Sequence, residues 1–313
     1  MSFAKKLGWR LEAFAYDIVS LLLKLFPFSG ISAFGGWLLR LIGPLTSKHH
    51  IAKTGLQIAF PDKSESEITQ ILKDQWDNTG RTFAEFPITH RIKAFEGGRV
   101  TIRGLEIFKA NAPAIIVTGH FANWEVMATV LTQSGLPVRI TYRKINNPYI
   151  DARVRKQRER YGTKFLVQKS GHKGGRELFE ALKSGESIAL LNDQKFNTGV
   201  DVPFFGENAM TAQGATRLAL KTGRPLLPMA VTRNGANFTV AFYKPLNLEN
   251  TNNREADVKA GVTQVTQFIE DRIREKPAQW FWVHRRWPKS LYKSPSPMGR
   301  GSRKAGGEGS GAD

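Results

Sequence analysis

The sequence contains no cysteine. This excludes a disulfide framework, a thiolate metal site and a thiol nucleophile together, and it agrees with a reducing compartment. Acidic residues are scarce: 27 Asp and Glu stand against 46 Lys and Arg, a formal net charge of +19. No apolar run suits a transmembrane helix, which needs about 20 nearly uninterrupted apolar residues; residues 18–28 fall short and are broken by Lys24 and Pro27. The N-terminus does not read as a signal peptide, because Glu12, Asp17 and Lys24 interrupt it and no small-residue cleavage site follows cleanly. There is no G-x-S-x-G serine elbow, no H-E-x-x-H among the six histidines, and Gly171, Gly174 and Gly175 form neither G-x-G-x-x-G nor a P-loop. No internal repeat and no recognised nucleic-acid module is present.

What remains is a 313-residue chain, 41% hydrophobic, able to bury a sizeable core. Its basic excess attracts phosphate, whether on nucleic acid, on anionic lipid headgroups or on an acidic protein partner. Between Arg139 and Lys183, 13 Lys and Arg face 4 Asp and Glu, so +9 of the charge sits in 45 central residues rather than in a tail.

Residues 3–42 read as a helical hairpin broken at Pro27 and Gly30, within an amphipathic stretch over 3–45. Phe14, Ile18, Leu21, Leu22 and Leu25 recur at helical spacing, with Trp9 and Trp37 as candidate interfacial anchors. This is the pattern of a membrane-lying segment; two core-packing helices would look similar. Ser64 with Glu67 forms a capping box, opening a helix that runs to about Phe86 before Pro87. From Arg99 onward, strands at 100–103, 114–118, 138–142, 164–167, 187–191, 226–231 and 238–242 alternate with helices at 124–133, 149–161, 174–182 and 212–222. A last helix spans about 257–275. The expectation is an α/β fold with a mixed, largely parallel central sheet flanked by helices, the last two strands forming a hairpin through 234–237. The domain reading is 1–45 membrane-associating, 46–289 the α/β domain, and 290–313 a disordered tail with little apolar content.

Four stretches carry candidate chemistry. In AIIVTGHFANWE (114–125), an apolar strand ends at Gly119-His120, and Asn123 caps the next helix. Ligands bind at the carboxyl ends of strands in such sheets. On one helix, the five positions from His120 to Glu125 would separate the two by about 500°, so only a strand-to-helix turn can bring the carboxylate back to the imidazole. A carboxylate on one ring nitrogen would make the other a general base; the bland alternative is a packed histidine beside a glutamate facing a helix N-terminus. In SIALLNDQKFNTGVDVPFFG (187–206), Asp193 again follows a strand, fit to support a base or an arginine, or merely to cap a turn. Pro203-Phe204-Phe205-Gly206 suits an acyl chain or the core. The basic helix 149–161 offers Arg153, Arg155, Lys156, Arg158 and Arg160 for phosphate or an oxyanion, with at most one or two expected to face a cleft and the rest to be surface charges. The aromatic–arginine run WFWVHRRW (280–287) suits a headgroup layer or stacked bases.

Together GHFANWE (119–125), YRKINNP (142–148), RER (158–160), NDQ (192–194), DVPFFG (201–206), TAQGATRLALKTGRPLLP (211–228) and WFWVHRRW, in this order, resemble the bacterial lipid A biosynthesis acyltransferases. The resemblance implies His120 as general base, Glu125 as its charge partner, Arg158 as the essential arginine with Arg160 close by, and Asp193 as the aspartate of the D-Q step. Gly119, Asn123, Arg160, Gln194, Phe204 and Phe205 are the expected substrate-contacting set. It implies direct acyl transfer without a covalent enzyme intermediate, from acyl carrier protein, or less usually acyl-CoA, to a hydroxyl of an acylated lipid A precursor. No metal or organic cofactor is implied, and the expected place is the cytoplasmic face of the bacterial inner membrane. A lysophospholipid or other glycolipid acyltransferase of the same superfamily is the alternative; a basic nucleic-acid-binding protein or a non-catalytic membrane scaffold fits less, since neither explains His120 after a strand.

Overall fold

Lys24 to Pro27 split the N-terminal apolar stretch into two helices, α1 (Phe3–Leu23) and α2 (Phe28–Ile42), in the computed structural model, which describes residues 2–292 apart from 143, 160–161, 163 and 168–171. Gly30 takes no part in the break and lies inside the first turn of α2. Helices α3 (Ser47–Ala59) and α4 (Glu65–Glu85) follow. The Ser64–Glu67 capping box is present, and α4 ends in a tight turn over Phe86–Arg91. Helices α2 and α4 touch backbone to backbone, which two glycines permit. A Cβ on Gly80 would lie 2.0 Å from the Gly35 carbonyl oxygen. Phe28 and Ile31 thereby join the main core.

The body is a seven-stranded sheet in the order β1-β9-β8-β2-β5-β3-β4. In chain order the elements are β1 (Val100–Arg103), α5 (Leu105–Asn111), β2 (Ile115–Thr118), α6 (Trp124–Gln133), β3 (Val138–Tyr142), α7 (Pro148–Glu159), β4 (Lys164–Val167), α8 (His172–Lys183), β5 (Ser187–Leu191), β6 (Lys195–Phe204), β7 (Glu207–Thr211), α9 (Gly214–Thr222), β8 (Leu226–Asn234), β9 (Asn237–Phe242) and α10 (Arg254–Glu275). Strands β8, β2, β5, β3 and β4 are parallel; β9 turns back antiparallel to β8, and β1 runs parallel to β9. Strand β2 reads IIVT with every residue buried, as a strand covered by helices on both faces must be. The mixed, largely parallel sheet matches the sequence expectation. The β6–β7 hairpin, a separate two-stranded sheet, was not expected.

The expected tail begins too early at 290. Lys289–Tyr292 form a short 3-10 helix, and Tyr292 is buried. Its ring lies against Trp287, its hydroxyl accepts from the Arg286 N–H at 3.1 Å, and its carbonyl bonds His50 Nε2 at 3.2 Å. One aromatic side chain supplies the apolar surface that the remainder lacks; residues 293–313 lie outside the described ones.

Helix α1 rests on α7. Arg153 holds Asp17 with two bonds of 2.6 Å, and Asn147 Nδ2 donates to Glu12 Oε2 at 2.8 Å. Its outer face stays apolar and exposed at Phe3, Leu11, Phe14, Leu21 and Leu22, continuing through Leu25 and Phe26 to Phe34, Trp37, Leu41 and Leu45 on and beyond α2. Among the described residues, no helix is long and apolar enough to cross a membrane.

Candidate active site

Parallel pairing decides the geometry of the site. Strands β2 and β5 are neighbours, with Thr118 level with Leu191. The ladder continues one step through Asn192 N–H to the Thr118 carbonyl at 2.8 Å. Two residues beyond each level position, His120 and Asp193 emerge side by side at the carboxyl edge of the sheet. Asp193 Oδ1 lies 2.7 Å from His120 Nδ1, and Oδ2 accepts from the His120 backbone N–H at 2.7 Å and from Trp280 Nε1 at 2.7 Å. Gly119 makes room: a Cβ there would approach Asp193 Oδ2 to 3.3 Å and the Phe121 ring to 3.0 Å.

Asp193 is fully buried. Burial alone would raise its carboxyl; the neighbouring His120 imidazole and the hydrogen bonds it receives overturn that and hold it well below the usual carboxylate range. An ionised carboxylate only accepts, so His120 Nδ1 carries the hydrogen, and in the neutral ring Nε2 is the nitrogen that keeps its lone pair. Nε2 has no hydrogen-bond partner among the described residues. The ring is wedged against Trp124, with centroids 4.9 Å apart, and faces Phe281 at 6.2 Å. Such an arrangement can orient an imidazole for proton abstraction.

Glu125 does not play the part expected of it. Its carboxylate receives a two-pronged grip from Arg158, Nε to Oε2 at 2.7 Å and Nη2 to Oε1. The reason is direction. From the first turn of α6, Glu125 meets the last turn of α7, while Asp193 comes straight off the adjoining strand. Arg158 also lies over the rings of Tyr142 and Phe86. Elsewhere on the basic helix, Arg153 is held by Asp17 and Arg155 sits 3.7 Å from Glu159. Arg160 lies outside the described residues.

Three further expectations are corrected by burial. Phe204 and Phe205 sit in the core, Phe204 tilted against Trp280 and Trp287 and Phe205 edge-on to Trp287, and the Phe205 N–H donates to Glu270 at 2.5 Å. Buried in this way, they offer no open face to an acyl chain. Asn123 is also buried: its Oδ1 caps Glu125 N–H at 3.1 Å and its Nδ2 donates to Glu85 at 2.7 Å, so both ends are spent inside the protein. The tryptophans of 280–287 are each 1% exposed, which removes them from bases and headgroups alike. Gln194 is exposed at the end of the loop after β5, directly before β6.

The closing segment supplies residues that sequence reasoning passed over. An isolated bridge joins Phe121 to Trp280, and the Phe281 N–H donates to the His120 carbonyl at 3.1 Å. This places His284 with its ring 6.4 Å from that of His120. Both His284 ring nitrogens are buried and make no hydrogen bond of normal geometry. Burial pushes this imidazole down to about 4 against the raising pull of Asp193. Arg286 is buried too, its Nη1 donating to the Met210 carbonyl at 3.1 Å and Nη2 to Thr211 Oγ1 at 2.5 Å; burial lowers it to about 10. The motif WFWVHRRW showed that aromatic and basic residues are gathered here, but not that this segment closes over His120.

Residues 2–289 match the family model described as bacterial lipid A biosynthesis acyltransferase. The chain is 28% identical over 268 residues to a lipid A biosynthesis acyltransferase of Haemophilus influenzae, covering 80% of this chain and 81% of the relative. It is 26% identical over 261 residues to the lipid A biosynthesis palmitoleoyltransferase of Escherichia coli, covering 78% and 79%. It is also 27% identical over 185 residues to a phosphatidylinositol mannoside acyltransferase of Mycolicibacterium smegmatis, covering 57% and 58%. An imidazole held by a buried carboxylate at a strand end suits the activation of a hydroxyl, and with the family match across nearly the whole described chain it follows that this protein belongs to the bacterial lipid A biosynthesis acyltransferases and is an acyltransferase.

Proposed function

We propose that the enzyme transfers a fatty acyl chain from an acyl carrier protein thioester to a hydroxyl of an acylated lipid A precursor. The observation that carries this reading is the His120–Asp193 pair, with Nε2 left as the acceptor. In the reaction, Nε2 takes the hydroxyl proton as the oxygen attacks the thioester carbonyl. The tetrahedral intermediate collapses with loss of the C–S bond, and the imidazolium returns its proton to the leaving thiolate. Asp193 keeps the tautomer and steadies the imidazolium. Backbone N–H groups near Gly119, or the Arg158 guanidinium, are the candidates for the developing oxyanion. No cysteine is available to carry the acyl group, and transfer is direct.

The exposed apolar face of α1 and α2 is read as lying on the cytoplasmic leaflet of the inner membrane. The +9 stretch from Arg139 to Lys183 suits acidic acyl carrier protein and the acceptor's phosphates. A second reading, in which the acceptor is another glycolipid, is supported by the similarity to phosphatidylinositol mannoside acyltransferases. The test is mass spectrometry of lipid A from cells with and without the gene. One fewer acyl chain without the gene is the expected result. Unchanged lipid A with a changed phospholipid or glycolipid would move the assignment to the second reading.

A further inference from the structure

Asn78, Thr82 and Glu85 are spaced four and three apart on α4, so they share one helical face, and that face is buried. Their partner is Arg233 near the end of β8. Arg233 Nη1 and Nη2 reach the two Glu85 oxygens at 2.5 and 2.8 Å, Nε reaches Asn78 Oδ1 at 3.0 Å, and Nη2 reaches Thr82 Oγ1 at 3.2 Å. The pair is sealed from solvent, with side chains 4% and 0% exposed.

The network converges on the loop that carries His120. Asn123 Nδ2 donates to Glu85 Oε2 at 2.7 Å, and Thr82 Oγ1 donates to the Ala122 carbonyl at 2.9 Å. The Ala122 N–H donates to the Gln279 carbonyl at 2.6 Å, while the Gln279 side chain clasps the Arg233 backbone with two bonds of 2.8 Å. Ala122 itself has φ of 41°, a left-handed conformation that a Cβ disfavours. Such a residue persists only where its surroundings over-determine it.

We propose that the Glu85–Arg233 pair is a positioning device for His120: it fixes Ala122 and Asn123, and so holds the imidazole on Asp193. The proposal rests on the reading of His120 as the base. A pair kept for stability alone has no need to spend its hydrogen bonds on one strained loop, since apolar residues of similar volume commonly do as well. Here Thr82 and Glu85, both held by Arg233, meet the Ala122 backbone and the Asn123 side chain, two and three residues after His120. Released, Ala122 relaxes toward negative φ, and the imidazole two residues earlier turns away from the carboxylate.

Thr82→Val and Glu85→Gln test this in the full-length enzyme. Two properties are read: kcat and KM for acyl transfer, and the proton resonance of the His120 Nδ1–H bonded to Asp193, assigned by its loss in His120→Ala. Thr82→Val, which keeps the ion pair and the side-chain shape, is expected to lower kcat about tenfold with KM within about twofold, and to shift or broaden the resonance. Folded variants that keep both kcat and the resonance of the wild type, or that lose kcat with the resonance unmoved, overturn the proposal. If Glu85→Gln does not fold, Thr82→Val decides. The resonance needs neither donor nor acceptor, so a wild type inactive on the lipids tried defeats the functional reading and leaves this inference to the spectrum.

Discussion

The imidazole of His120 and the carboxylate of Asp193, 73 residues apart in sequence, meet at 2.7 Å because the strands before them are parallel and in register. The bond makes Asp193 the group that sets the His120 tautomer. Asp193→Asn can offer its amide nitrogen in place of an acceptor and favour the wrong tautomer. Its expected effect is a fall in kcat of about a hundredfold or more, with KM little changed. Steady-state kinetics on the purified variant checks it; a variant with wild-type kcat would show that the carboxylate is dispensable.

Glu125 belongs with Arg158, not with His120. Removing either partner of so buried a pair is expected to lower stability by about 3–5 kcal/mol. A double-mutant cycle in urea unfolding separates the partners. Glu125→Gln with Arg158→Gln should give a coupling of about 1–3 kcal/mol, and Glu125→Gln with His120→Ala a coupling near zero. The reverse ranking would restore the shorter-range pairing.

His284 makes stability depend on pH. The folded ring stays neutral down to about 4, while the unfolded ring takes up its proton near the ordinary 6.5. The unfolded state therefore binds more protons between those values, and stability falls as pH drops through that window. The loss is on the order of 3 kcal/mol at the lower end. Urea unfolding at pH 7 and pH 4.5 should show a larger drop for the wild type than for His284→Gln; equal drops would remove His284 as the cause.

Gly80→Ala forces a methyl group against the Gly35 backbone. Helix α2 then has to move off α4, at a cost of about 1–3 kcal/mol or more. Thermal unfolding should show a clear drop in midpoint, and an unchanged midpoint would mean that the two helices slide apart freely.

The alternation of strands and helices was legible because the buried strands are short apolar runs between turn signals. IIVT in β2 and SIALL in β5 gave their boundaries closely, and so did the capping box at Ser64. Two features hid the rest. The pairing of His120 with Asp193 follows from strand order and register, which one sequence does not state; His120-x4-Glu125 was nearer along the chain and answered to the wrong partner. The stripe of Asn78, Thr82 and Glu85 reads as a solvated helix face, because burial of such residues depends on an arginine 148 positions beyond Glu85. The β6–β7 hairpin was missed for a related reason: its register shifts between Lys195 and Val200, which breaks the alternation that marks a strand.

The most direct test is acyl transfer from radiolabelled acyl carrier protein thioester to a tetra-acylated lipid A precursor, wild type beside His120→Ala. The expected result is robust product with the wild type and a loss of at least about a hundredfold in a folded His120→Ala. Equal rates for the two would contradict His120 as the base.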